Sequence, residues 1–285
     1  MNVFSYRLRP TSPWATAPQA DSLFGALCWE LVRRQGEPDL VRMLDRFRKG
    51  DPPFVISNAF PGDLLPRPLV LGHDEFPLHP YVTRAEFTAI REGNAGFEPS
   101  EHDDLFEVSR TLHVNQHDSF ETEDITWSKT GPGYFTLYAR VIPEWVGPLQ
   151  KLLQSLGAYG FGKRRGFGRG QFEVDGKPEP CPWLEPMPFE SGFVTLSDFV
   201  PQENDPARGR WGVKVKYPKL ASGHTKPHAF KGRLLQLEAG SCFQCPGRPR
   251  RWYGGLVGGM TGGVQGPLQY GFALAIGIKW PFDHI

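Results

Sequence analysis

The segment from Gly160 to Gly170 has the residue types of a phosphate-binding loop. It contains the glycines Gly160, Gly162, Gly166, Gly168 and Gly170, the cations Lys163, Arg164, Arg165 and Arg169, and the rings Phe161 and Phe167. Glycine lets a backbone come close to a ligand, cations neutralise phosphates, and phenyl rings offer faces on which bases stack. The alternative is a solvated basic turn, but that would leave both phenylalanines exposed without a purpose.

The spacing of this segment does not fit a nucleotide-cofactor motif. Arg165, and not a glycine, lies three residues after Gly162, and the chain contains no Gly-Lys-Ser/Thr tripeptide. A Rossmann fingerprint follows a strand and opens a helix, whereas here a predicted helix precedes and a predicted strand follows. Four cations in one loop suit several consecutive phosphates, so the sequence predicts a polynucleotide ligand and no cofactor.

Two further groups of cations extend this prediction. Lys214 and Lys216 alternate along a predicted strand and would project from one face of it, and Lys231 follows them in the chain. Arg250 and Arg251 precede a second glycine-rich cluster. The lysines are either RNA contacts or solvated charges, and the arginine and glycine cluster is either a second backbone-binding loop or a mobile turn.

Histidines and cysteines offer weaker candidates. His113, Asn115 and His117 form a polar cluster that we expect to contact RNA, and the two histidines would share a face for metal binding or catalysis only in a helix. Cys242 and Cys245 have the spacing of half a zinc site, for which only Cys181 and scattered histidines such as His224 and His228 could supply a second pair. We therefore expect no metal, with a zinc site as the alternative.

The elements around these residues predict an α+β fold. Strands are predicted at 3–8, 54–58, 134–141 and 170–174, and helices at 21–32, 39–48 and 144–157, the last closed by Gly157 as its C-cap. This order is typical of a ferredoxin-like sandwich. Further strands are predicted at 192–196, 211–216, 233–239 and 271–279.

Proline marks the expected domain boundary, since five prolines fall between 178 and 188. We predict a first domain at 1–177 with an insertion around 66–130, a linker at 178–190 and a second domain at 191–285.

Composition limits the remaining classes. The 285 residues carry a net charge of +1, so a polyanion must be held by local basic patches. Four cysteines are too few for a disulfide scaffold, which indicates a reducing compartment. The sequence shows no signal peptide and no apolar stretch of membrane-spanning length, so we expect a soluble, cytoplasmic protein.

Two segments together resemble the RAMP superfamily of CRISPR proteins. They are the start of the first predicted helix, Ala20-Asp-Ser-Leu-Phe-Gly-Ala-Leu-Cys-Trp-Glu-Leu31, and the loop Gly160–Gly170. Within the superfamily the chain is most similar to the Cas five-like fourth Csm subunits of type III-A effector complexes. Glu238–Ser241 and Tyr270–Ile276 are similar to the C-terminal pattern of those subunits.

The resemblance implies two ferredoxin-like domains in tandem, with a glycine-rich loop and an inserted hairpin, and a role without catalysis. Such subunits grip the 5′ handle of the CRISPR RNA and cap the complex beside a large polymerase-like Cas subunit, next to a backbone RAMP subunit. The RNA-binding residues carried over are the loop and the helix start Ser22, Leu23, Phe24 and Gly25, whose free N–H groups suit phosphate. In the inserted hairpin, the stretch of this chain that corresponds to the family's pattern is His113–Asp118, and its sequence departs from that pattern.

Two other functions stay open at this point. Processing endoribonucleases of the same superfamily place a histidine early and the glycine-rich loop near the C-terminus, whereas this chain has no histidine before His73 and a mid-chain loop. A generic single-stranded RNA-binding module is the third possibility.

Overall fold

The structure is a computed structural model, and it describes residues 1–280 apart from 71–79, 95–99, 101, 103, 104, 115–118, 128–130, 218–231 and 259–267. In this part of the chain it contains four α-helices: α1 (Ala20–Gln35), α2 (Glu37–Arg48), α3 (Arg84–Arg91) and α4 (Pro143–Tyr159). None of them is long and apolar enough to span a membrane.

The strands of the first half are β1 (Asn2–Pro10), β2 (Phe54–Pro61), β3 (Leu65–Pro66), β4 (Tyr81–Val82), β5 (Phe106–Val114), β6 (Ser119–Trp127), β7 (Phe135–Val141) and β8 (Phe172–Pro180). Those of the second half are β9 (Gly192–Thr195), β10 (Gly209–Arg210), β11 (Val213–Lys216), β12 (Leu234–Leu237), β13 (Cys242–Gln244), β14 (Trp252–Val257) and β15 (Gln269–Ile278). Short 3₁₀ turns lie at Arg165–Phe167 and Pro182–Leu184.

Two antiparallel sheets organise the chain. The first has the strand order β2-β7-β1-β8, with α1 and α2 connecting β1 to β2 and α4 connecting β7 to β8. The second has the order β10-β13-β9-β15-β14. Three smaller antiparallel pairs are also present: β3-β4, the hairpin β5-β6 and the ribbon β11-β12. The expected α+β class is confirmed as a fold of α-helices and antiparallel sheets.

A shared apolar core joins the two halves. Phe24 of α1 and Phe47 of α2 pack with Tyr270 and Phe272 of β15, with ring centroids 4.7 Å apart for Phe24 and Tyr270 and 5.5 Å for Phe47 and Phe272. The backbone N–H of Ile56 donates to the Tyr270 hydroxyl oxygen at 3.0 Å. The sheets are therefore packed through α1, α2 and β2, while the domain boundaries at 177 and 191 stay predictions.

The proline-rich segment between the halves is tied down by a buried arginine. Arg91 of α3 is fully buried, and it donates from Nε to the carbonyl of Gly277 at 3.0 Å and from Nη2 to that of Glu185 at 3.1 Å. Its Nη2 lies 3.6 Å from the buried Glu190 carboxylate. Burial lowers the pKa of Arg91 to about 10. One side chain thus connects α3, β15 and the segment 183–190.

The predicted elements are found, some with longer and some with shorter bounds, and the predicted C-cap of α4 was wrong. The helix predicted at 144–157 continues to Tyr159, so Gly157 is a buried interior residue and Gly160 is the C-cap. A Cβ at Gly157 would lie 2.1 Å from the carbonyl oxygen of Phe172. Gly157 is therefore required by close packing of α4 against β8, and not by a helix end. The sequence patterns also missed α3, β13 and β14.

Candidate nucleic-acid interface

The loop Gly160–Gly170 begins at the C-terminal end of α4 and closes on itself. Gly160 has φ +85°, and its N–H donates to the carbonyl of Leu156 at 2.9 Å. The N–H of Phe161 donates to the carbonyl of Gly170 at 2.8 Å, and the N–H of Gly170 donates to that of Pro13 at 2.9 Å. A Cβ at Gly170 would lie 2.0 Å from the Phe161 carbonyl oxygen. Residues 162–169 thus form a loop whose two ends are held together by these hydrogen bonds.

The two phenylalanines of the loop have different roles. Phe161 is buried, and its ring centroid lies 5.7 Å from that of Trp14. The expectation that Phe161 offers a stacking face is wrong, because its ring anchors the loop in the core. Phe167 is 84% exposed, with the Arg164 guanidinium 6.0 Å from its ring centroid. Phe167 is the ring of the loop that a base could reach.

The four cations of the loop differ in exposure. Lys163 and Arg165 are exposed, and Arg164 and Arg169 are half-buried. Arg164 has φ +60°, a left-handed conformation that is uncommon outside glycine, and it precedes the 3₁₀ turn. The turn itself spreads successive side chains around a tight backbone. The arrangement presents several positive charges from one short, constrained segment.

Much of the loop backbone is already hydrogen-bonded inside the protein. Besides Phe161 and Gly170, the N–H groups of Lys163, Phe167 and Gly168 donate to protein oxygens, and that of Lys163 reaches Thr16 Oγ1 at 2.9 Å. A phosphate would therefore be held mainly by side chains. This corrects the expectation of a backbone cradle, and the expected phosphate ligand stays a prediction.

A connector, residues 11–19 between β1 and α1, holds the loop and the hairpin together. Gln171 donates from its N–H to Ser12 Oγ at 2.9 Å, and Trp14 and Ile125 of β6 exchange backbone hydrogen bonds of 3.0 and 2.8 Å. Gly162 has φ +80°, and a Cβ there would lie 2.5 Å from the Thr16 side chain. No spacing in the sequence marks Ser12, Trp14 and Thr16 as partners of the loop, so sequence reasoning missed them.

A small cavity lies where the hairpin meets the connector. It has a volume of 230 Å³ and is lined by apolar side chains that include Trp14, Phe106, Ile125 and Phe135. Trp14 and Phe135 stack with centroids 4.9 Å apart. The base of the hairpin is therefore fixed against the first sheet beside the loop.

The start of α1 faces inward. Leu23 and Phe24 are buried in the core, so their side chains do not reach a ligand, while Ser22 is half-buried and Gly25 is exposed. Asp21 is buried, and its carboxylate accepts from Lys216 Nζ at 2.6 Å and from Gln269 Nε2 at 2.6 Å. The carboxylate at the start of α1 is thus already paired with a lysine of the protein itself, Lys216.

The lysines of β11 are held by acidic side chains. Lys216 also donates to Gln19 Oε1 at 2.9 Å, and Lys214 forms an ion pair with the buried Asp198. Lys214 and Lys216 do share one face, as expected, but that face is turned towards α1 and Asp198. Their charges are largely balanced in place, so we interpret them as residues that attach the ribbon β11-β12.

The remaining candidates lie elsewhere. His113 lies on β5, whereas Asn115, His117 and Lys231 lie outside the described residues. Arg250 and Arg251 line a separate groove between the end of α2 and β14.

The described residues contain no group of three His, Cys, Asp or Glu side chains that could hold a metal ion. Cys242 is buried in the core, which raises the pKa of its thiol. Cys245 Sγ lies 3.3 Å from the Tyr253 hydroxyl. Both cysteines are free thiols packed in the second half.

Comparison with known proteins gives matches in structure alone. No family model matches the sequence, and no curated protein matches it. A chain of the crystal structure of the Csm3-Csm4 subcomplex in the type III-A CRISPR-Cas interference complex matches with a TM-score of 0.67 and 13% identity, over 100% of both chains. A chain of the Csm1-Csm4 cassette in complex with cA4 matches with a TM-score of 0.65 and 20% identity, over 99% of this chain and 100% of that one. In complex with AMPPNP, the same cassette gives 0.64 and 21%, with the same coverage. The chain therefore has the fold of these proteins from end to end.

Proposed function

We propose that this chain is a Csm4-like RAMP subunit of a type III CRISPR effector complex, which holds the 5′ handle of a CRISPR RNA without cutting it. The observation that carries this proposal is the match over essentially the whole length of chains from two different complexes, in which Csm4 is the common component. A fold alone does not define a function, so the site must supply the rest.

The loop Gly160–Gly170 supplies the chemistry for the RNA backbone. Lys163 and Arg165 are exposed on a segment whose ends are fixed by Phe161 and Gly170. Side-chain cations on a fixed loop suit phosphates, and the exposed Phe167 suits an unpaired base, as single-stranded RNA offers. Trp14 joins the hairpin β5-β6 to the connector that holds the loop. RNA bound to the loop would therefore pass the end of the hairpin that lies against the first sheet.

The strand order supports the description of the fold as ferredoxin-like. The first sheet, β2-β7-β1-β8, with its two helical crossovers, has the arrangement of a ferredoxin-like domain. We infer that residues 1–177 are this domain, with the hairpin inserted between β2 and β7, and that residues 191–285 form a second, related domain, which has no α-helix among its described residues.

The neighbours of the matched chains suggest partners. One matched structure is a cassette with Csm1 and the other a subcomplex with Csm3. We infer that this chain contacts a large Cas subunit on one side and a backbone subunit on the other, which is the position of a cap, and that the complex is cytoplasmic.

Co-purification tests the proposal. Affinity-tagged chain, expressed with its neighbouring effector subunits and a repeat-containing RNA, should retain RNAs that share one 5′ sequence. The variant Lys163→Ala/Arg165→Ala should retain less RNA while keeping the protein partners. RNAs with unrelated 5′ ends in the retained fraction would contradict handle recognition.

Incubation with repeat RNA in the absence of metal tests the non-catalytic role. Intact RNA is expected after incubation with the purified chain. Cleavage at one site in the repeat would instead identify a processing endoribonuclease.

A further inference from the structure

A groove between the end of α2 and β14 lies apart from the loop and contains only positive charge. It has a volume of 650 Å³, and its lining includes Arg48, Gln202, Arg250, Arg251, Trp252 and Phe272. Among the described residues, no Asp or Glu lines it. By contrast, the groove of 500 Å³ lined by Arg7, Arg84 and Lys177 also contains Asp63, Asp175 and Glu179. The first groove therefore suits an anion, and the second does not.

The arginines of this groove are held in place from outside it. Asp205, whose side chain is 4% exposed, forms an ion pair with Arg250 and accepts from the N–H groups of Gly254 at 2.8 Å and Gln202 at 2.9 Å. The Arg250 guanidinium also lies over the Tyr253 ring, 4.5 Å from its centroid. Arg250 is nevertheless 59% exposed, so it is both fixed and accessible.

The two other arginines have partners nearer the surface. Arg251 donates from Nη1 to the carbonyl of Met1 at 2.9 Å, and Arg48 pairs with Asp45 at 2.7 Å while staying 50% exposed. Arginine positioned by a partner loses less conformational freedom on binding, and its planar fork matches phosphate oxygens. The three guanidinium groups thus form a prepared anion-binding rim.

Aromatic and apolar surface lies beside this rim. Trp252 and Leu256 are half-buried residues of β14, and Phe47 and Phe272 contribute buried rings below them. A ligand with an anionic group and a flat apolar body fits both features at once, since bases stack on aromatic rings.

We propose that this groove binds a nucleoside phosphate, with the phosphate on Arg250 and Arg251 and the base against Trp252. The site goes beyond the proposed function, because it is separate from Gly160–Gly170 and does not require a CRISPR RNA handle. A free mononucleotide and a nucleotide within a single strand present the same chemistry, and the experiment separates these two sources.

The test uses the purified full-length chain and two surface variants. Arg251→Glu reverses a charge in the groove, and Arg248→Glu makes the same change at an exposed position outside it. Calorimetry with AMP and UMP measures free nucleotides, and fluorescence anisotropy with a labelled short oligouridine measures a strand. Thermal melting checks that both variants fold, and Arg48→Glu replaces Arg251→Glu if the latter is unstable.

We expect Arg251→Glu to weaken binding about tenfold or more, because a charge-assisted contact is replaced by repulsion, while Arg248→Glu stays within about twofold. Loss in the mononucleotide titration identifies a free nucleotide as ligand, and loss with the oligouridine alone identifies a strand. Equal binding by both variants, or no binding of either probe, overturns the proposal. So does binding of an acidic peptide, such as oligoglutamate, that both nucleotide probes fail to displace.

The outcome is separable from the proposed function. The loop variant Lys163→Ala/Arg165→Ala should bind mononucleotides as the parent chain does. A loop variant that loses handle RNA while Arg251→Glu binds normally would support the proposed function and reject this site, and the reverse pattern would do the opposite.

Discussion

Removing the two exposed cations of the loop, Lys163 and Arg165, should change the salt dependence of RNA binding by a calculable amount. Each phosphate contact with a single strand contributes about 0.7 to the slope of log affinity against log salt. The double variant Lys163→Ala/Arg165→Ala should therefore have a slope shallower by about 1.4. The fold is expected to remain intact, because the Lys163 backbone N–H keeps its bond to Thr16.

The same slopes give a ratio that is easy to measure. Between about 50 and about 200 mM salt, the parent chain should lose roughly sevenfold more affinity than the variant, so the gap between the two narrows by that factor. Anisotropy with a labelled RNA of the 5′ handle, titrated at several salt concentrations, measures both slopes.

The control removes the same charge elsewhere. Lys151 of α4 and Lys177 of β8 are exposed, so Lys151→Ala/Lys177→Ala matches the net charge of the loop variant. Its slope should equal that of the parent chain. Equal slopes for the two double variants would refute the assignment of the loop as the phosphate contact, since only the net charge would then matter.

Three further predictions concern the fold. Gly157→Ala should lower the free energy of unfolding, measured by urea denaturation, by about 1–3 kcal/mol, because the new Cβ would lie 2.1 Å from a backbone oxygen. Gly25→Ala, at an exposed helical site with open space, should raise the same free energy by about 0.5–1 kcal/mol. Equal effects of the two substitutions would contradict the packing argument. Arg91→Leu should cost about 3–5 kcal/mol in the same assay, because it leaves Glu190 buried without its cation; a cost below about 1 kcal/mol would show that the arginine does not tie the segment. Burial opposes ionisation of Glu86, but hydrogen bonds to its carboxylate lower its pKa from 4.5 to about 2. The ionised carboxylate therefore stabilises the fold above pH 4.5, and this stabilisation is lost as the pH falls towards 2. The difference in unfolding free energy between the parent chain and Glu86→Gln should shrink over that pH range, and a constant difference would contradict the role of the carboxylate.

The sequence predicted most of the regular elements because their patterns are local. The alternation in β1, the apolar spacing of α1 and the length of α4 are each visible within a dozen residues. Helix α3 escaped because it is short and lies in a polar region, although Thr83 and Glu86 form a capping box before it. That spacing was a usable signal.

The candidate site was predicted in composition but not in geometry. The glycines and cations of 160–170 do form one exposed loop, yet nothing in the sequence shows that Phe161 turns inward while Phe167 turns outward. Likewise, Lys216 looked like a free cation because its partner, Asp21, lies almost two hundred residues away in the chain. Burial and long-range ion pairs depend on how distant segments meet, and spacing does not record that.

The inward-facing start of α1 changes what its sequence pattern can be used for. Asp21 binds a lysine of β11 and a glutamine of β15, while Phe24 packs on Tyr270, so each reaches across to the second half of the chain. A search pattern built on these positions would select chains by how their halves are joined, whatever RNA they hold. Engineered chimaeras of such chains should accordingly exchange α1 together with β11 and β15, and exchange the loop together with the connector, which holds it through Pro13 and Thr16.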